Sequence, residues 1–425
     1  MVNITINGKP MQAEEGTTIL SAASAAKMPV PSLCYLKDIN EIGACRVCVV
    51  EIKGVSRLVT ACNNVVQEGM EILTNSPRVR EARRTNVELI LSQHNSSCTS
   101  CVRGGNCSLQ RIANDLGIYA SEYKKDIPKR QWPIEFPLIR DASRCIKCMR
   151  CVQICDKVQD LHIWDIVKTG SRATVGVTHN LQITQSDCAI CGQCLTHCPT
   201  GALRERDDTL QLLSMQGAFA DPDKVTIVQV APAVRSAWAE ELGLDREEAT
   251  PGRLVAALKA LGFDYVFDTD FGADLTIMEE GSEFLERMRH REDYTFPMFT
   301  SCCPGWVRFL KSQYPEMIGQ LSTAKSPHQM QGAVTKTYLA EKFGLDPDRV
   351  YNVSVMPCIA KKKEAEIPNI NDSGHGRDVD LVLTTREIAR MIRADHLDVK
   401  HLPEEEFDDP FGVSSLSLIH ISEPT

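Results

Sequence analysis

Eighteen cysteines in 425 residues are the groups in this chain best able to do chemistry, and they are clustered. Fifteen lie before residue 200, three lie between residues 302 and 358, and none follow. The N-terminus, MVNITINGKPMQ, has neither a basic leader nor an apolar one, so the chain reads as cytoplasmic. In a reducing cytosol, clustered thiols bind metal or carry electrons more often than they pair as disulfides. The formal net charge of -9 argues against nucleic acid as the main partner. No run approaches the ~18 uninterrupted apolar residues of a membrane span.

The early cysteines fall into four ligand sets. Cys34, Cys45, Cys48 and Cys62 keep the tight C-x2-C pair of plant-type ferredoxins, with a longer first loop, and suit a 2Fe-2S cluster. A structural zinc site is the competing reading, and the elements upstream favour iron–sulfur. His94, Cys98, Cys101 and Cys107 offer three thiolates and an imidazole, which zinc also accepts. Their place between iron–sulfur modules favours a 4Fe-4S cluster. A neutral imidazole in place of a thiolate should raise its potential or couple it to pH.

The last two sets are the most specific. Cys145, Cys148, Cys151 and Cys155 follow C-x2-C-x2-C-x3-C, and Cys188, Cys191, Cys194 and Cys198 repeat it before Pro199. In two-cluster ferredoxins the fourth cysteine of each run serves the other cluster. One 4Fe-4S cluster should therefore take Cys145, Cys148, Cys151 and Cys198, and the other Cys188, Cys191, Cys194 and Cys155. Asp156 stands where the motif has Pro, and it touches no ligand position. With one 2Fe-2S and three 4Fe-4S clusters, the chain reads as an electron wire, and a wire needs a far end.

The elements that must position these groups point to a multidomain α+β and α/β protein. In 1–77, two short strands around Asn7-Gly8 form a hairpin. An Ala-rich helix over Thr17 to Ala26 follows, as in a β-grasp ferredoxin. In 78–120, Val79, Ala82, Asn86, Leu89 and Ile90 recur at helical spacing, and Arg78, Arg80, Arg83 and Arg84 read as a solvated face. Residues 121–140 are charged and Pro-interrupted, like a linker. Residues 136–209 carry the ferredoxin-type repeat. From 222 onward VTIVQVAP, DYVFDT, PMFTS, NVSVMP and DLVLTT read as buried strands alternating with helices such as PGRLVAALKALG and HQMQGAVTKTYLAEKFG. That alternation defines an α/β domain, with the last cysteines at strand ends.

Those last cysteines stand in TSCCPGW at 300–306 and MPCIAK at 356–361, after FGADLTIMEE. These motifs resemble the catalytic domain of iron-only hydrogenase large subunits, over about residues 1–412. The resemblance implies an H-cluster, a 4Fe-4S cubane joined to a two-iron site, interconverting protons, electrons and H2. It makes Cys303 and Cys358 cubane ligands and Cys302 the thiol that passes protons to the two-iron site. Glu280, Ser322, Glu283 and Arg287 match the family's proton path, while Lys361 and Met356 match residues lining the two-iron site. Burial should raise the carboxylate pKa values to suit a relay. Of the run Lys361 to Lys363, only the first is expected to point inward.

The resemblance also implies ferredoxin, or separate flavin- and NAD(P)-binding subunits, as electron partners, because no Gly-rich dinucleotide fingerprint follows a strand here. The first three modules are similar to the large iron–sulfur subunit of respiratory complex I and of some formate dehydrogenases. An electron-transfer subunit of that kind is thus one alternative, and a non-catalytic hydrogenase-like sensor is another. TSCCPGW and MPCIAKK argue against the first, and the retained Cys302 and proton path argue against the second. The family draws two more H-cluster cysteines from a C-terminal motif, yet none follows Cys358 and 413–425 departs from the pattern. The expectation is an incomplete catalytic domain over 222–412, with exposed apolar surface and no hydrogen turnover of its own. His328 stands where family members often carry Gln, and no role is assigned to it.

Overall fold

A computed structural model describes residues 1–120, 123–127 and 130–408; the tail expected at 413–425 and the end of the catalytic domain lie outside them. The chain forms two compact units, one of residues 1–186 with 192–205, the other of 187–191 with 206 onward.

The first unit opens with the hairpin. Asn7 and Gly8 take φ of 48° and 80°, the left-handed pair that a two-residue turn requires, and join Val2–Ile6 to Lys9–Ala13. Three more strands complete a five-stranded sheet in the order 9–13, 2–6, 71–73, 49–52, 59–60. The helix Ile19–Ala25 is capped by Thr18 and packs Ile19 and Ala23 against Ile4, Ile6 and Ile72. Ser76 caps a longer helix, Pro77–Ser92, with Pro77 in its first turn.

That helix corrects one expectation. Arg83 is not solvated; it is buried, and its guanidinium donates to the carbonyls of Val47, Val49 and Thr74 at 3.0–3.1 Å. Strand ends leave carbonyls unmet, and a planar five-donor group can serve three of them at once. Consequently the buried face runs through Val79, Arg83 and Val87, leaving Leu89 exposed.

The ferredoxin-type segment has two two-stranded sheets, Leu138–Arg140 with Leu203–Glu205 and Trp164–Val167 with Thr174–Val177. The end of the expected linker is therefore a strand, drawn in by pairing that local composition does not encode.

The second unit is built on a parallel sheet in the order Tyr265–Asp268, Val225–Val230, Val350–Met356, Leu381–Thr384. Helices Pro251–Leu261 and Thr385–Ala394 bury Leu254, Leu258, Ile388 and Ile392 in its core. HQMQGAVTKTYLAEKFG is helical, interrupted by a π-turn at Thr335–Leu339. PMFTS is not a strand: only Phe299 makes a bridge, to Leu321, and Pro297 can donate nothing to a ladder. On the helix Asp270–Arg289, Met278, Phe284, Leu285 and Met288 are exposed. Among the described residues, no helix is long and apolar enough to cross a membrane.

The lysine run is also corrected. Lys363 is exposed, but Lys362 is fully buried and bridges Asp208 at 2.7 Å and Glu387 at 2.9 Å. Glu387 is the capping-box residue of Thr385–Ala394, so a buried carboxylate was already in place to receive a cation.

Candidate functional site

The first unit holds most of the thiols of the expected sets. Cys34, Cys45, Cys48 and Cys62 are all buried. Cys34 hydrogen-bonds with Cys45 and Cys62, and Cys48 with Cys62, which holds the Cys34 and Cys48 thiols below their ordinary range. A single zinc ion, with Zn–S near ~2.3 Å, would draw its thiolates to within about 4 Å of one another. Among the described residues, no three cysteines bring their sulfurs within 4.8 Å. The four buried thiols remain the set that the 2Fe-2S reading names.

His94, Cys98 and Cys107 line a cavity of about 310 Å³. His94 is buried, with a backbone hydrogen bond to Arg144, and its Nδ1 has no partner. Burial, helped by the Arg144 charge, lowers its pKa to about 4, so the ring is neutral and can ligate. A neutral ring with an orphaned nitrogen, lining one cavity with two thiols, fits the proposed ligand set. Cys101 stands where Gly201 leaves room: a Cβ there would sit 2.5 Å from the Cys101 sulfur. Gly201→Ala should therefore strip iron from this site, whereas Gly281→Ala, with nothing within 4 Å, should not. Iron content and the EPR signal of the purified variants check it.

Cys145, Cys148, Cys151 and Cys198 line a single cavity with Trp164, Val175 and Thr200. Burial pushes the Cys148 thiol up to about 12 and Cys151 well above its usual value. Thiols this reluctant to ionise need a positive centre to hold them as thiolates. Lys147 and Met149 take left-handed φ of 56° and 63°, as do Ile190 and Gly192 (58° and 78°) at the matching places of the second run. Non-glycine residues pay for that conformation, and it can turn successive N–H groups toward an anion. Cys155 and Cys194 are buried in the first unit, while Cys188 (buried) and Cys191 (exposed) belong to the second.

In the second unit the motif TSCCPGW is a helix start. Cys303 is the N-cap of Pro304–Gln313, its sulfur accepting from the Trp306 N–H at 3.4 Å, with Pro304 in the first turn. Cys358 follows the strand Val350–Met356 and receives the backbone N–H groups of Ala360 and Lys361. Burial nonetheless pushes the Cys358 thiol above its ordinary value. Met356 is buried at the strand end. Gly305 lies against Ala189, whose carbonyl a Cβ would meet at 3.2 Å, and Arg308 donates to the Cys188 carbonyl at 2.9 Å.

Cys302 is the neighbour of these groups. Burial, with the Glu280 charge, raises its pKa against the pull of Lys361, so it remains a thiol at neutral pH. Glu280 accepts from the Ser301 N–H at 3.3 Å. One turn along the same helix, Glu283 accepts from Ser322 Oγ at 2.7 Å, from the Thr323 N–H, and from Arg287 at 2.6 Å. Here the expected upward shift is corrected. Burial pushes the Glu283 carboxyl up, but the donors Ser322, Arg287 and Thr323 together outweigh it and hold it below its ordinary value. Ser301, Ser322 and Thr323 also line a cavity of about 580 Å³ with Pro304, Ala360 and Glu364.

Two site residues carried too weak a sequence signal. Lys361 Nζ donates to the Cys302 carbonyl and to Glu364, both at 2.7 Å. Glu364 also receives His328 Nε2 at 2.6 Å, and His328 Nδ1 lies 3.1 Å from Ser354 Oγ. Buried beside Lys361, His328 is held neutral, donating to the carboxylate and accepting from the serine. The three-residue spacing of Lys361 and Glu364 was legible as a helix pair; nothing local marked His328. Despite burial, the His328 and Lys361 contacts lower the Glu364 pKa from 4.5 to about 2. Because the folded value is depressed, this stabilisation is full above pH 4.5 and lost as pH falls toward 2. The stability gap between parent and Glu364→Gln should narrow across that window in acid-unfolding curves.

Fold and thiol sites together define a multi-cluster iron–sulfur redox protein. Family models match in chain order. A 2Fe-2S iron–sulfur cluster binding domain covers 1–77, the NADH-ubiquinone oxidoreductase-G iron–sulfur binding region 83–122, and a 4Fe-4S dicluster domain 144–202. The iron only hydrogenase large subunit, C-terminal domain, matches 224–421, past residue 412 where the resemblance read from the sequence stops. The chain is 45% identical to the NADP-reducing hydrogenase subunit HndD of Solidesulfovibrio fructosivorans, over 98% of this chain and 72% of that protein. It is 37% identical to iron hydrogenase 1 of Clostridium pasteurianum, over 97% of this chain and 71% of that one. A third relative, the periplasmic Fe hydrogenase large subunit of Nitratidesulfovibrio vulgaris, is 41% identical over 56% of this chain and 63% of its own length. The chain belongs to the iron-only hydrogenase large-subunit family.

Proposed function

We propose that this chain carries electrons to and from a hydrogenase centre that interconverts H2 with two protons and two electrons. The carrying observation is the run of proton-capable side chains that starts at Cys302. Glu280 acts on the Cys302 thiol through its charge, and Glu283, one turn along the same helix, is hydrogen-bonded to Ser322 and Arg287. Cys302 holds a proton at neutral pH and can release it; Glu283, held ionised, accepts one and passes it on. Arg287 fixes the Glu283 carboxylate and takes no proton itself. Lys361, clamped by Glu364, presents its ammonium beside Cys302.

Cys34, Cys45, Cys48 and Cys62 would hold the 2Fe-2S cluster, and His94, Cys98, Cys101 and Cys107 a 4Fe-4S cluster. Two more 4Fe-4S clusters would rest on Cys145, Cys148, Cys151, Cys198 and on Cys155, Cys188, Cys191, Cys194. Cys303 and Cys358 would be cubane ligands of the H-cluster. Bound there, these groups supply electron storage and a metal site for the H–H bond. The likeness to the NADP-reducing subunit supports NAD(P)-binding partner subunits as the electron exchange, with ferredoxin the alternative. The hydrogenase domain match over 224–421 favours this reading over the electron-transfer-only alternative.

The 425 residues supply two of the four thiolates a cubane takes. By themselves, after anaerobic reconstitution, they should bind about fourteen iron atoms and evolve no hydrogen from a reduced dye. Joined to the remaining C-terminal segment of the matched NADP-reducing subunit, they should evolve it. Such a chimera with every cluster loaded and no hydrogen would overturn the proposal.

A further inference from the structure

Asn40 belongs to none of the ligand sets, yet it touches two of them. It is fully buried, and its amide nitrogen donates to the Cys34 carbonyl at 2.8 Å and to the Cys148 carbonyl at 2.9 Å. Cys34 belongs to the set proposed for 2Fe-2S. Cys148 belongs to the set that lines one cavity with Cys145, Cys151 and Cys198. One side chain thus joins the backbones of two redox sites far apart in sequence.

The surroundings make the contact specific. Asn40 and Leu36 exchange backbone hydrogen bonds at 2.8 and 3.0 Å, closing the loop that follows Cys34 and aiming the amide. Arg150, beside Cys151, adds a bond to the Cys34 carbonyl at 3.3 Å and one to Tyr35 at 2.9 Å. Cys34, Cys45 and Cys148 share one apolar cluster with Leu33, Val47 and Val87. Within that packed setting the Asn40 hydrogen bonds join the two loops directly. The Asn40 Oδ1 has no partner. A buried polar atom left unpaired costs stability, so packing alone would favour Leu at this position. The two donated bonds are what an amide offers that Leu does not.

We propose that Asn40 is a positioning residue for electron transfer between these two sites. Its amide clamps the Cys34 loop to the Cys148 loop and supplies a two-hydrogen-bond path between them. One electron leaves the Cys34/Cys45/Cys48/Cys62 site, which is oxidised by one. It enters the Cys145/Cys148/Cys151/Cys198 site, which is reduced by one; no bond breaks and no proton moves. The inference rests on the ligand sets proposed above.

The test uses the reconstituted 425-residue chain and three variants: Asn40→Leu without donors, Asn40→Ser with one, and Lys157→Ala. Lys157, at the end of the helix Arg150–Lys157, ties that helix to the loop after Cys34 from the surface through the Ile39 carbonyl at 2.8 Å, so its loss reports a merely structural tie. Rapid freeze-quench EPR follows electron equilibration after substoichiometric reduction with dithionite. Relaxation enhancement of the 2Fe-2S signal reports its coupling to the neighbouring site. The expected result is full iron in every variant, with equilibration and enhancement both several-fold weaker in Asn40→Leu, intermediate in Asn40→Ser and unchanged in Lys157→Ala. Unchanged kinetics and coupling in an iron-replete Asn40→Leu would overturn the inference. So would full parental kinetics in Asn40→Ser if Asn40→Leu simply loses iron. A parent chain with no 2Fe-2S signal would instead overturn the ligand sets, and the inference with them.

Discussion

Cys302→Ala in the hydrogen-evolving chimera is expected to abolish turnover while leaving the iron content intact. The thiol bears a proton at neutral pH under the charge of Glu280, and Lys361 holds the same residue's carbonyl. A methyl group can neither accept a proton nor give one. General acid–base groups contribute about 10²–10⁴-fold, and a proton route cut at its inner end should lose at least that. Cys303, the N-cap of Pro304–Gln313, is the neighbour with the ligand role. Iron and sulfide analysis with a dye-linked hydrogen assay separates the two residues. If Cys302→Ala loses the cubane irons and Cys303→Ala keeps them, the two roles have been exchanged. Cys302→Asp, which restores a proton carrier, should recover part of the rate.

Lys362→Met should have the largest effect on stability. The lysine is the buried cation between Asp208 and Glu387, and Arg206 is a second cation on Asp208, at 2.8 Å. Removing Lys362 leaves the Glu387 carboxylate, itself fully buried, without that counter-charge. Breaking a buried pair from one side costs about 3–5 kcal/mol. Urea unfolding followed by the fluorescence of Trp238, buried in the second unit's core, should shift by that amount. Adding Glu387→Gln to Lys362→Met should recover much of it, since an amide needs no counter-charge. A Lys362→Met protein as stable as the parent would mean that the network is neutral.

How much of this was legible beforehand divides along one physical line. Local spacing suggested the proposed ligand sets, because a cluster needs thiolates on a short loop, and C-x2-C-x2-C records that need directly. It determined the Asn7-Gly8 hairpin, where left-handed φ restricts the residue types, and the alternating strands and helices of the second unit. Only the tertiary structure decided which charged groups turn inward. Arg83 looked solvated and instead serves three strand carbonyls; Lys362 looked like part of a basic run and instead meets Asp208 and Glu387. Glu283 was expected to titrate high from burial alone, but Ser322 and Thr323 from another loop, with Arg287 of its own helix, reverse the sign. Asn40 and His328 carry no local signal, since each acts through partners distant in the chain. A sequence records what its own neighbourhood demands of a residue. A buried charge or amide is instead defined by the groups that fold against it.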